Sequence, residues 1–285
     1  RRSNRYAKTQ RDRLMWRSLL FVPVLEERFI AKAASSGTDA VVLDLEASIA
    51  DAQKADARSA LPEAVARLAS KIDVTVRINP LWLEAIRDLE ACMCEGISAI
   101  HLARCNGPEE VIAVDRLITE LERDRGLNGP TPSLIAMLES PGAVENAQAI
   151  AQASPRMAGL TLGVEDYATE MGVTANDTLL RTAAFQVIQT AKAARLEPIL
   201  VPTSMADFRN LKALEDAAQF ARNLGATGGY AVHPAQIEVL NRVFAPTETE
   251  RDWARRVLAT SESAKKDGRG VFLLDGQMID LPLIT

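Results

Sequence analysis

Short apolar runs recur along most of the chain: SLLFVPV (18–24), AVVLDLE (40–46), VTVRINP (74–80), AIHLAR (99–104), SLIAMLES (133–140), GLTLGVED (159–166), PILVPT (198–203) and GYAVHP (229–234). They are rich in Val, Ile and Leu and alternate little, the pattern of parallel strands covered on both faces. Longer amphipathic stretches lie between them, such as DAQKADARSALPEAVARLAS and PEEVIAVDRLITELERD, with Asp51 placed as an N-cap and Gly37 and Gly225 just past helix ends. Eight alternations of strand and helix predict an α/β fold, the (β/α)8 TIM barrel. A doubly wound open sheet would carry a Gly-rich loop after its first strand, and FVPVLEE contains no glycine. The remainder, a charged helical pattern followed by GVFLLDGQMIDLPLIT as a hairpin or strand with a tail, is surplus to a barrel. The expected organisation is a basic flexible tail over 1–13, a barrel over 14–246, and a C-terminal helix and extension over 247–285 that covers a barrel mouth, its own or a neighbour's.

Polar residues fall where the apolar runs stop. Asp44 and Glu46 end the second run, Arg77 and Asn79 the third, Arg104 the fourth, Glu139 the fifth, Glu165 and Asp166 the sixth, and His233 the eighth. A single charge at a strand end is ordinarily just solvated. Six strands ending this way place carboxylates and arginines together on the C-terminal face, where barrel enzymes keep their active sites. Glu139 and Asp166, from adjacent strands, can offer two carboxylate oxygens to Mg2+, an ion that keeps much of its octahedron for water and substrate. Arg77 offers a planar fork suited to a carboxylate or an oxyanion. His233, followed by Pro234, reads first as a turn and helix start.

Composition narrows the partners. A net charge of −5 argues against nucleic acid, and no run of apolar residues reaches the length of a membrane span. Cys92, Cys94 and Cys105 form no even framework, consistent with a reducing cytoplasm. With only two histidines, any metal is held by oxygen.

At these residues the chain resembles the citrate lyase β-subunit family, within the HpcH/HpaI aldolase superfamily that includes malyl-CoA and citramalyl-CoA lyases. The matching pieces are RSLLFVPVLEERFIAKAASSGTDAVVLDLEASIADAQKADAR, VRIN, AMLESPGAVENAQAIA, GLTLGVEDYATEMG, AVHPAQIEVLNRVFAPTETE and GQMIDLP, which span residues 17 to 283 or thereabouts. The resemblance implies a trimeric or hexameric barrel using Mg2+, with Mn2+ as an alternative ion, and a CoA thioester as substrate. It puts Glu139 and Asp166 on the metal, with Glu165 beside Asp166 in the substrate site. It puts Arg77 on the keto-acid portion, and Glu46 and Asp44 in support of the metal waters and of Arg77. Asp280 falls on the acid of the C-terminal segment, which in relatives closes over a neighbouring subunit's mouth. Arg17 and Lys32 are candidates for the CoA phosphates. The chain departs from the family pattern at Pro23-Val24, at Ala47 where DLED reads DLEA, at Ala103-Arg104 in place of Pro-Lys, and in GGYAVHP, which lacks a lysine.

The activity so implied is a carbon–carbon lyase of retro-Claisen type acting on a 3-hydroxy-3-carboxyl acyl-CoA. (S)-Citramalyl-CoA, giving acetyl-CoA and pyruvate, comes first, then malyl-CoA, then a citryl thioester. A thioesterase on the same barrel and a non-catalytic subunit of a larger complex are the competing expectations.

Overall fold

The computed structural model describes residues 15–127, 131–205, 207–266, 270–280 and 284, so the expected basic tail over 1–13 lies outside the described residues. The chain divides into two compact units, one ending at Phe244 and the other starting at Ala245. In the first, eight parallel strands run β1 (Ser18–Pro23), β2 (Ala40–Asp44), β3 (Asp73–Ile78), β4 (Ile97–Leu102), β5 (Ser133–Leu138), β6 (Met157–Leu162), β7 (Glu197–Pro198) and β8 (Gly229–Ala231). Their order in the sheet is β7-β6-β5-β4-β3-β2-β1-β8, and a parallel bridge between Ile199 and Gly228 joins the two ends. This is a (β/α)8 barrel.

Between the strands lie α1 (Glu27–Ala33), α2 (Lys54–Leu68), α3 (Leu83–Cys92), α4 (Pro108–Asp124), α5 (Pro141–Glu145), α6 (Ala147–Ala151), α7 (Val164–Glu170), α8 (Asp177–Ala193) and α9 (Leu211–Leu224), with α10 (Ala235–Phe244) after β8. Their starts are set locally: the side chains of Ser140, Asn176 and Asn210 accept from the backbone N–H of Ala143, Leu179 and Ala213, the bonds that an N-cap makes. Asp51, expected as a cap, instead opens a single 3-10 turn over Asp51–Gln53 ahead of α2.

The strand pleat divides the interior in two. In β3, Val74, Val76 and Ile78 face outward into the layer shared with the helices, while Thr75 and Arg77 alternate with them and face the barrel lumen. The lumen is filled by Trp16, Leu19, Ala40, Val42, Ala99, Ile135, Ile199 and Tyr230. At its N-terminal end Trp16 donates its indole N–H to Asp73 at 2.7 Å. The same alternation carries the lumen-facing set upward to Asp44 and Arg77, and beyond the last paired residue of β5 to Glu139. The polar cluster at the mouth is therefore the continuation of the inner core into solvent.

The run at 198–203 was expected as a full strand, yet β7 pairs with β6 over only two residues. Pro198 and Pro202 have no N–H to give to a ladder, which limits the strand. The seam is completed by backbone bonds from Ile199 N to Leu160 O and from Thr227 N to Pro198 O, each 3.0 Å.

The second unit packs α11 (Glu248–Lys266) against a hairpin of β9 (Phe272–Leu274) and β10 (Gln277–Ile279) through Val257, Ala264, Phe272 and Ile279. The two-residue turn is Asp275-Gly276, both with positive φ (52° and 79°), as a type I′ hairpin requires. Arg256 pairs with Asp275 across it. Among the described residues no helix is long and apolar enough to cross a membrane.

Gly228 tests the seam. A Cβ there would stand 1.9 Å from the carbonyl oxygen of Trp16, so Gly228→Ala is expected to lower the unfolding free energy by about 3 kcal/mol. An unchanged urea midpoint would show that the seam does not depend on that close approach.

Candidate active site

The site is built outward from one buried ion pair. Arg77 leaves the end of β3 and donates from Nε and Nη2 to the two carboxylate oxygens of Asp44, both at 2.7 Å. Asp44, on β2 beside it, also accepts the backbone N–H groups of Glu46 and Ser48. Burial opposes its ionisation, but the bonds from Arg77 prevail and hold Asp44 below the usual carboxylate range. Burial likewise works against the charge on Arg77, and its bonds to Asp44 more than offset it. Glu46 reaches the same guanidinium, 3.2 Å from Nη1. Phe21 lies against its face, 4.6 Å from ring centroid to guanidinium carbon.

On the far side of the mouth stand Glu139, after β5, and Asp166, in the first turn of α7 after β6. Glu139 is only 6% exposed. Its place depends on Gly163: a Cβ on that residue would come within 2.4 Å of Glu139 Cγ. Gly163 N in turn donates to Leu138 O at 2.9 Å, holding the two strand ends together. Burial first, then the charges of Asp166 and Glu46, push the Glu139 carboxyl up to about 7. Arg104, with a left-handed backbone (φ 50°), brings Nη2 to 3.4 Å from Asp166 and Nε to 3.9 Å from Glu139.

Glu165 faces another way. Its Oε1 accepts from Ser204 Oγ at 2.5 Å and Met205 N at 2.9 Å, fastening the segment after β7. Between that segment and the strand ends lies a cavity of about 240 Å3, lined among others by Phe21, Arg77, Met137, Glu139, Asp166 and Tyr230.

The structure thus brings Glu46, Arg77, Glu139, Glu165 and Asp166 to one mouth. Arg17 and Lys32, the candidates for the CoA phosphates, are not among the residues that line this cavity. Arg17 precedes β1, at the opposite end of the barrel, where Asp39 takes its Nη2 and Nε at 2.7 and 2.8 Å. Lys32 sits in the last turn of α1. His233 lends its Nδ1 to Ala235 N at 3.1 Å at the start of α10, and its ring stacks on Phe208. Asp280 follows β10 in the second unit.

Sequence reasoning missed Lys54. Its buried ammonium donates to Leu45 O, Glu46 O and Asn79 Oδ1 at 2.9, 2.5 and 2.8 Å, clamping the turn that carries Glu46. A signal was present: Lys54 shares one helical face with Ala57, Leu61, Ala64 and Leu68, where a solvated lysine is out of place. Gly163 and the aromatic pair Phe21 and Tyr230 were also missed.

The donor set suits a hard divalent cation. Glu165 has its own partners; the remaining four carboxylates, Asp44, Glu46, Glu139 and Asp166, face two guanidiniums, Arg77 and Arg104, a formal shortfall of two positive charges. Protonation of Glu139 is one way to relieve it, and a divalent ion held by Glu139 and Asp166 is another. Among the described residues no group of three or more His, Cys, Asp and Glu is arranged to enclose a metal. Two carboxylates that leave the other positions open match an ion shared with substrate and water.

Known proteins share the sequence and the fold. The chain is 32% identical over 279 residues to the citrate lyase subunit beta of Escherichia coli strain K12, covering 96% of this chain and 92% of that one. It is 30% identical to an L-malyl-CoA/beta-methylmalyl-CoA lyase of Cereibacter sphaeroides, covering 94% and 91%. Among solved structures it is similar to protein CitE of Mycobacterium tuberculosis in complex with magnesium, acetoacetate and coenzyme A, with a TM-score of 0.70, 28% identity, and 94% and 93% of the two chains covered. Residues 17–234 match the family model described as HpcH/HpaI aldolase/citrate lyase, and the chain belongs to that family.

Proposed function

We propose that the chain is a Mg2+-dependent carbon–carbon lyase that cleaves a 3-hydroxy-3-carboxyl acyl-CoA by retro-Claisen chemistry, with (S)-citramalyl-CoA as the favoured substrate. The observation that carries the reading is the shortfall of positive charge around Glu139 and Asp166, directly beside Arg77 and opening on one cavity. The CitE structures bound to magnesium with acetoacetate and coenzyme A, or with pyruvate, support it.

Glu139 and Asp166 would hold the ion, which when bound supplies Lewis-acid polarisation of the substrate oxygens. Arg77 spends two of its five N–H donors on Asp44 and keeps Nη1 3.2 Å from Glu46. Donors not held by Asp44 are available to the substrate carboxylate and to the oxygen that changes from hydroxyl to ketone. As the hydroxyl proton passes to a water molecule, the C2–C3 bond breaks. Its electron pair passes to C2 and the thioester as the enolate of acetyl-CoA, and C3 becomes the ketone of pyruvate. Asp280, from the C-terminal unit of a neighbouring copy in a homo-oligomer, delivers a proton to C2.

Arg77 is the one cation among the described residues lining the cavity. That composition favours an acyl group with one carboxylate besides its thioester over a citryl group, which has two. Phe21, Met137, Leu200 and Val201 line the same space and suit the methyl of citramalyl. Incubation with the three thioesters is expected to release keto acid fastest from citramalyl-CoA, then malyl-CoA, then the citryl thioester. Failure on all three sinks the lyase reading, and free malate without a keto acid identifies a thioesterase.

The site residues carry further expected outcomes. Glu139→Gln and Asp166→Asn are expected to fold and to weaken Mg2+ binding about a hundredfold or more by calorimetry. In the wild type, the Glu139 carboxyl holds its proton up to about 7. The proton is therefore favoured below that pH and the cation above it, and Mg2+ affinity rises about tenfold from pH 6 to pH 8. An affinity flat across that window removes Glu139 from the ligand set. Asp280→Asn is expected to leave Mg2+ affinity unchanged while lowering turnover about a hundredfold. Mixing it with Arg77→Ala should restore activity if the two residues act from different subunits, and a mixture as inactive as its parts excludes that arrangement.

A further inference from the structure

Directly beneath Arg77 the lumen contains a histidine that the chemistry above does not use. His101, on β4, is fully buried. Its Nε2 lies 2.9 Å from Thr75 Oγ1 on β3 and its Nδ1 lies 3.1 Å from the Tyr230 hydroxyl on β8. The directions of these bonds follow from the neighbours. Thr75 Oγ1 already donates its one proton to Val41 O at 3.0 Å, so it can only accept from His101, and Nε2 bears the proton. Nδ1 is then the acceptor and Tyr230 the donor. The phenol oxygen has a hydrogen-bond partner of its own in Thr161 on β6. Burial agrees with a neutral ring, since it pushes His101 down to about 3.

The column ends at the catalytic arginine. The Tyr230 ring stacks on Phe21, with centroids 5.3 Å apart and planes 25° from parallel, and Phe21 bears the Arg77 guanidinium. Tyr230, Thr161, Phe21 and Arg77 all line the cavity. Asp44 and Glu46 hold the edge of the guanidinium and Phe21 supports its face. The Phe21 ring in turn packs on a tyrosine whose hydroxyl is held in place by His101 and Thr161. Polar groups in a lumen otherwise packed with apolar side chains are costly unless satisfied, and here each atom named has a partner.

We infer that His101 is a positioning residue: as a single neutral tautomer it anchors the Tyr230 hydroxyl and thereby sets the Phe21 platform that aims Arg77 at the substrate's carboxylate. The inference deepens the proposed lyase reading and rests on Arg77 binding the keto-acid portion.

The first test needs no turnover. The chain has only two histidines, His101 and His233, so long-range 1H–15N spectra of the wild-type protein, assigned with His233→Gln, read the tautomer of His101. The Nε2–H form is expected; the Nδ1–H form or a mixture overturns the inference. The second test compares Tyr230→Phe, which keeps the ring and removes the hydroxyl, with the wild type. Pyruvate binding at saturating Mg2+ is expected to weaken about tenfold, with Mg2+ affinity unchanged. His101→Gln, which can still donate and accept, should recover part of the loss relative to His101→Leu. Pyruvate binding unchanged in Tyr230→Phe overturns the positioning role. Wild-type protein that binds neither Mg2+ nor pyruvate but shows the Nε2–H form would defeat the lyase reading and leave the hydrogen-bond column standing.

Discussion

Everything at the mouth of this barrel is referred to the bidentate pair of Arg77 and Asp44. Burying two charges is expensive, and the attraction between them often does little more than offset the loss of hydration, whereas removing one partner leaves the other stranded at a cost of about 3–5 kcal/mol. What such a pair secures is direction. Asp44 is itself held by two backbone N–H groups, so the guanidinium plane is set by the backbone of the turn after β2 and not by the rotamer of a long side chain. Glu46 and Phe21 then have a defined edge and face to meet. Lys54 completes the arrangement from below by clamping the carbonyls of Leu45 and Glu46.

Against that rigid side stands a side left electrostatically unsettled. Glu139 is confined by Gly163 and crowded by other carboxylates, and only part of the opposing charge comes from Arg104, whose side chain is largely exposed. A protein selecting for stability alone would place a neutral residue at position 139. Keeping a carboxyl there, with its proton bound up to neutral pH, stores a preference for a cation in the folded structure. The rigid guanidinium and these carboxylates line one cavity, so under the proposed lyase reading an anionic ligand is gripped at one end and polarised at the other.

Much of this was legible in the sequence. The apolar runs read as parallel strands because β2 and its neighbours are covered on both faces, and the acids and arginines that end them converge because parallel strands all finish on one side. The same logic places Arg17: it precedes a strand, and a residue that precedes a strand is carried to the opposite end. Glu165 and Asp166 are adjacent in sequence but part in space, since successive positions of α7 diverge by about 100°. No pattern of charges foretells that separation. Lys54 was hidden because its partners are backbone carbonyls and a side chain 25 residues away. The lumen column was hidden for a related reason: His101, Thr75 and Tyr230 meet only after the sheet has curled and closed, since their strands are not all neighbours in sequence.

The short seventh strand has an effect on the cavity that reaches beyond closure of the sheet. The segment that follows it supplies Leu200, Val201, Thr203, Ser204 and Met205 to the cavity wall, yet it springs from two paired residues where its counterparts opposite spring from five or six. Its chief side-chain tie is the grip of Glu165 on Ser204 and Met205. The cavity therefore has one stiff wall and one compliant wall. Differences in ligand bulk are absorbed on the compliant side, while the charged groups on the stiff side keep their registration. In this barrel, tolerance for shape and intolerance for misplaced charge are assigned to opposite faces of the same space.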